Sequence, residues 1–130
     1  MTRSSPARVL DVGQCNPDHG AISAVLTCRF AVEVDRAASV AEAVEAMRQT
    51  RYGLVLVNRL LDADGSDGLE LLRESKVDPQ LADVPIMLVS NYAEAQDRAV
   101  EAGAERGFGK AELHDPGVVA RLAEFLPEAE

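Results

Sequence analysis

Short apolar runs alternate along this chain with longer stretches in which apolar positions recur at helical spacing. Val9-Leu10-Asp11-Val12 is the first strand-like run. Asn16-Pro17 reads as a helix cap followed by proline at the first helical position, where a missing N–H costs nothing. Ile22, Val25, Leu26 and Arg29 then predict a helix of roughly Pro17 to Cys28. Phe30, Val32 and Val34 alternate with Ala31, Glu33 and Asp35, as in a half-exposed edge strand. Ser39 and Glu42 form a capping-box pattern ahead of the stripe Val40, Ala43, Val44 and Met47, and this helix stops near Tyr52-Gly53. Leu54-Val55-Leu56-Val57 is apolar at every position, which suits a strand covered on both faces.

The segment from Asn58 to Gly68 is too rich in turn formers to be regular, and Leu69 to Ser75 reads as a short helix. A strand Ile86-Met87-Leu88-Val89 and a helix of about Tyr92 to Ala102 follow, the helix ending at Gly103. Arg106 to Gly109 is a weak last strand, and Asp115-Pro116 opens a helix lined by Val118, Val119, Leu122, Phe125 and Leu126. Five strands each followed by a helix imply a parallel sheet with right-handed crossovers and helices on both faces. Sites in such sheets form beyond the carboxyl ends of the strands. Here those ends are Gly13-Gln14-Cys15, Asn58-Arg59, Ser90-Asn91 and Lys110.

Composition narrows the picture. The 130 residues fit one domain, with an ordered core expected over about 7–126, and 47% hydrophobic content excludes wholesale disorder. A net charge of −9 argues against direct nucleic-acid binding. No apolar run approaches the ~20 residues of a membrane span, and the opening residues lack the apolar core of a secretory signal. With two cysteines and no disulfide framework, the chain reads as a soluble, cytoplasmic domain.

Several motifs then carry a resemblance. Arg8-Val9-Leu10 opens the first strand, Asp67-Gly68-Leu69-Glu70-Leu71-Leu72 follows the third, and Val84-Pro85-Ile86-Met87-Leu88-Val89-Ser90 spans the fourth. Glu101-Ala102-Gly103-Ala104 and Lys110 flank the fifth. In order and spacing the chain resembles, over essentially its whole length, the receiver domain of two-component response regulators. That resemblance implies a flavodoxin-like, CheY-like, doubly wound α/β sheet of order 2-1-3-4-5 and protein partners in a bacterial-type signalling pathway. It also implies a chemistry: an aspartate ending the third strand takes a phosphoryl group, and an acidic pair after the first strand helps it hold magnesium. A Ser/Thr and a Lys contact the phosphoryl oxygens, and an aromatic residue on the fifth strand reports the change.

Residue by residue, this chemistry is dismantled. Asn58 stands at the phosphoacceptor position, and an amide cannot form an acyl phosphate. Gly13-Gln14 stand at the acidic pair, leaving no carboxylate at any of the three positions, whereas Mg²⁺ is normally held by one or two. Ser90 and Lys110 match, but Gly107 replaces the switch aromatic and Ala111 the usual following proline. The loop after Asn58 is two residues longer than the family's. The expectation is a pseudo-receiver, a non-enzymatic interaction module that needs no phosphorylation, metal or cofactor.

The remaining residues are weighed individually. Asp11 lies in an interior strand, where an unpaired carboxylate is costly. It reads as a locally hydrogen-bonded or partly solvated aspartate of structural importance only; the functional alternative is a relocated acid serving the old pocket, with Lys110 as its partner. Internal pairing is expected for Lys110, with Asp11 and Asp62 as its candidate pocket carboxylates. Ser90 is expected to cap the following helix. Asp62 to Gly68 fails as a calcium loop, since Asp67 and Arg73 fall where glycine and glutamate are needed, and Asp67 reads as a helix cap. Cys15 reads as a loop thiol and Cys28 as a small packing residue too far away for a disulfide. His19 and His114 lack the neighbours of a zinc site, and no hydrolase, nucleotide or flavin motif is present.

By resemblance, the output face lies on the fourth helix, fifth strand and fifth helix, carried by Tyr92, Gln96, Arg106, Val118 and Leu122, and is also a candidate dimer surface. The alternative functions are a small-anion or metabolite sensor at Lys110 and Ser90, and an unconventional phosphoacceptor at Asp62 or Asp64. No effector domain follows Glu130, so the chain reads as a stand-alone domain or a fragment of a longer one.

Overall fold

A computed structural model describes residues 7–129. Strands β1 (Ala7–Val12), β2 (Val32–Ala37), β3 (Leu54–Asn58), β4 (Ile86–Val89) and β5 (Glu105–Phe108) form one sheet of order β2-β1-β3-β4-β5. Every pairing in it is parallel. The alternation of side chains along each strand separates two cores. Leu10, Val12, Val55, Val57 and Leu88 pack under helices α2 (Val40–Gln49), α3 (Leu69–Lys76) and α4 (Ala93–Glu101). Val9, Leu54, Leu56, Met87 and Val89 pack under α1 (Asn16–Arg29) and α5 (Pro116–Ala123). Leu54 to Val57 are completely buried because they lie in the middle of the sheet with helices on both sides.

The edge strand begins at Val32 rather than Phe30. Phe30 instead bridges antiparallel to Glu128, and Ala31 N–H and Ala129 N–H bond to Pro127 and Arg29 carbonyls. The ordered chain therefore continues past 126. Strand β2 is tied to β1 by Arg8, whose guanidinium bonds Asp35 and Glu33, and Tyr52 donates its hydroxyl to Asp35 at 2.7 Å. Arg8 holds the Asp35 carboxyl below the usual range.

Local signals mostly act as read. Ser39 Oγ accepts the Glu42 N–H, though the Glu42 carboxylate takes the Ser39 hydroxyl instead of reaching back to the backbone. Asp115 accepts Gly117 N–H at 2.7 Å, Asp67 accepts Leu69 N–H, and Gly103 ends α4 with φ of 109°. Asn16 is not the cap of α1: Cys15 is, without a side-chain bond, and Asn16 is already helical. The second helix ends at Gln49, before the turn at Tyr52-Gly53. Cys28 is exposed rather than packed, because it lies about 200° around the helix from the buried Leu26.

Candidate functional site

The carboxyl ends of β1, β3 and β4 and the start of a 3₁₀ turn after β5 (Lys110–Glu112) converge, bringing Gly13-Gln14, Asn58, Ser90 and Lys110 to one end of the sheet. At the first of these, Gly13 has φ of 76°, a left-handed conformation that disfavours any side chain. A Cβ there would lie 2.4 Å from Leu61 Cγ. Leu61 comes from the long loop after β3, which folds back on itself through a Leu60–Asp67 bridge and a turn at Gly65. It buries Leu61 over Gly13, while Gly13 O accepts both Asp62 N–H and the Asn58 side-chain amide. Leu61 thus closes the space over Gly13, and the Asn58 amide, a neutral donor, is spent on Gly13 O.

Lys110 is neutralised from within, but by neither expected partner. Its Nζ lies 2.6 Å from Asp18 on the first turn of α1, and this contact holds the Asp18 carboxyl below its ordinary value. Asp11 pairs elsewhere: its Oδ2 sits 2.7 Å from His19 Nδ1. Burial pushes the Asp11 carboxyl up, and the bond to His19 opposes that push. Asp11 Oδ1 and both polar atoms of the buried Gln14 side chain have no partner. Asp62 is exposed and offers only its backbone N–H to this end of the sheet. Asp64 spends its carboxylate on the Ser66 N–H of its own turn. Among the described residues, no cluster of three His, Cys, Asp or Glu side chains is placed to hold a metal ion.

Ser90 Oγ accepts Tyr92 N–H just before α4. Beside it lies a cleft of about 250 Å³ lined by Asn58, Arg59, Leu60, Ser90, Tyr92 and Lys110. At its mouth the Arg59 guanidinium sits 5.3 Å from the Tyr92 ring centre.

The fifth strand holds the largest departure from expectation. Met87 pairs with Glu105 and Val89 with Phe108, so β5 carries an extra residue opposite Leu88, a β-bulge. Gly107 sits in it, and a Cβ there would lie 2.1 Å from Leu88 O, which no side chain tolerates. Gln96 from α4 bridges the bulge. Its Nε2 donates to Leu88 O (2.9 Å) and Ser90 O (3.1 Å), and its Oε1 accepts Gly107 N–H (2.9 Å). Arg121 of α5 donates to Gly107 O.

The expected output face is therefore only partly a surface. Tyr92 is 63% exposed, and Arg106 is exposed and paired with Asp97. Gln96, Val118 and Leu122 are buried and present nothing to a partner. Val118 and Leu122 are one helical turn apart on the stripe of α5 that faces the core. Sequence reading passed over Asp18, His19 and Leu61 as site residues. Leu61 alone carried a visible signal, an apolar residue with no surface role among turn formers.

No family model matches the chain, and no curated protein matches it in sequence. Its three-dimensional structure does find counterparts. The receiver domain of Francisella response regulator 1452 gives a TM-score of 0.74 at 15% identity, covering 92% of this chain and 96% of that one. The phosphorylated cyanobacterial phytochrome response regulator RcpA gives 0.73 at 21% identity, over 93% and 94%. The chemotaxis response regulator CheY4 of Vibrio cholerae gives 0.68 at 20% identity, over 92% and 94%. The fold is thus that of response-regulator receiver domains, the flavodoxin-like sheet of order 2-1-3-4-5. No helix among the described residues is long and apolar enough to cross a membrane.

Proposed function

We propose that this chain is a signalling interaction module of the response-regulator receiver kind that works without phosphorylation, metal or catalysis. Its partners are proteins of a two-component pathway in the bacterial cytoplasm. The observation that carries this reading is what stands at positions 13 and 58: Asn58 donates its amide to Gly13 O, and Leu61 fills the space over Gly13. Lys110, with Asp18 at 2.6 Å, already has a resident anion. The Gln96 bridge adds a second support. It ties α4 to β4 and β5 through backbone groups, so a partner meets one fixed surface around Tyr92 and Arg106 instead of a switched one. That surface also serves as the candidate dimer face.

The test is an amide-resolved NMR titration with Mg²⁺ followed by beryllofluoride, a mimic of the phosphorylated state. The expected result is no saturable perturbation at Gly13, Asn58 or Lys110. Mg²⁺-dependent shifts that saturate and spread from Asn58 to α5 would overturn the reading.

A further inference from the structure

The bulge at Gly107 leaves a slot of about 250 Å³ between α4, β5 and α5, bounded by Asn91, Gln96, Arg106, Gly107, Glu112 and Arg121. Its polar groups are unevenly matched. The Gln96 amide is spent at both ends on backbone groups of β4 and β5. Asn91 has committed its oxygen to Ala111 N–H, which leaves its NH₂ as the free end. Arg121 uses Nη1 on Gly107 O, and its other N–H groups remain. Arg106 meets Asp97 only through Nη1, in a pair that is at least half exposed on both sides. Glu112 is the single carboxylate on the lining, and it accepts Gly109 N–H. The slot therefore holds two guanidinium groups and an amide with spare donors, on a chain of net charge −9. Guanidinium pairs recognise planar anions by parallel charge-assisted hydrogen bonds.

We propose that this slot is a binding site for a carboxylate group, presented either by an acidic segment of a partner protein or by a free dicarboxylate. The inference rests on the partner surface proposed around Tyr92 and Arg106 but not on the phosphorylation-independent reading, because neither Asn58 nor Lys110 takes part in it. Gly107 fits the bulge because it has no side chain; any larger residue in this backbone would collide with Leu88 O.

The test is a ¹H–¹⁵N titration of the whole chain with succinate and, separately, with the blocked peptide acetyl-Gly-Glu-Gly-amide. Both are run at constant ionic strength beside a sodium chloride control. Saturable shifts are expected at Gly107 N–H, the Gln96 side-chain amide and Arg121 Nε–H. Saturation by succinate assigns the free dicarboxylate as a source, and saturation by the peptide alone assigns the partner segment. Arg106→Ala, which breaks only an exposed pair, should weaken binding about tenfold through loss of a charge-assisted bond. Ala93→Glu, at the exposed start of α4 on the slot's rim, should weaken it by supplying a competing carboxylate without straining the fold. Shifts that match the chloride control, fail to saturate, centre on Lys110, or persist unchanged in both variants would overturn the proposal.

Discussion

Removing His19 should damage this protein far more than removing the buried carboxylate it serves. Asp11 is completely buried in an interior strand; one oxygen meets His19 Nδ1 at 2.7 Å and the other has no hydrogen-bond partner. His19→Ala takes away that partner and leaves a charge inside the sheet, a change that costs about 3–5 kcal/mol. Replacing the pair together, with Asp11→Val and His19→Leu, restores the apolar character of β1 beside Val9 and should be neutral or stabilising by about 1–2 kcal/mol. Asp11→Val alone should cost little, because His19 is partly exposed and water can serve its ring. Urea unfolding of the four proteins at pH 7 reads these differences directly, and each kcal/mol shifts the Tm of a domain this size by about 3–4 °C. The pH dependence follows from the raised Asp11 carboxyl. A carboxyl whose folded pKa lies above its unfolded value contributes stability fully present below the ordinary value near 3.8, and that stability is lost as pH rises through the folded value. The small cost of Asp11→Val relative to the native chain should therefore be larger below pH 3.8 than at pH 7. A cost for His19→Ala under about 1 kcal/mol, or a double variant no more stable than His19→Ala, would refute the reasoning.

Two further outcomes test the closed site and the bridged bulge. The double variant Gly13→Asp with Asn58→Asp supplies two carboxylates at the ends of β1 and β3. It should lose about 2–4 kcal/mol from left-handed strain and collision with Leu61, and show no Mg²⁺ binding by calorimetry; a stable variant that binds Mg²⁺ would contradict the geometry. Gln96→Leu strands Gly107 N–H and the Leu88 and Ser90 carbonyls in a buried setting. It should cost about 2–4 kcal/mol and speed hydrogen exchange at Gly107 specifically, whereas a loss below about 0.5 kcal/mol would show that the bridge is dispensable.

The helices and strands were legible because each is amphipathic or apolar at the period its geometry demands. Leu54 to Val57 announced a central strand, and Ser39, Gly103 and Asp115 marked helix ends through bonds made within three residues. The errors fell where the partner is distant in sequence. Val118 and Leu122 were assigned to a surface that they underlie, since helical spacing identifies a stripe but not the layer it faces. Asp62 looked available for Lys110, but its loop turns the side chain outward and sends Leu61 inward.

What the sequence by itself determined is which chemical groups stand at particular positions. An amide at 58 and the absence of carboxylates at 13 and 14 are properties of atoms, independent of packing. Only the tertiary structure decided what those groups meet. Lys110 and Asp18 are 92 positions apart, and Gln96 meets Gly107 across a bulge that no local pattern reveals. A side-chain hydrogen bond extends about 3 Å, so its partner is chosen by how the sheet is ordered and how its helices are layered, not by neighbours along the chain.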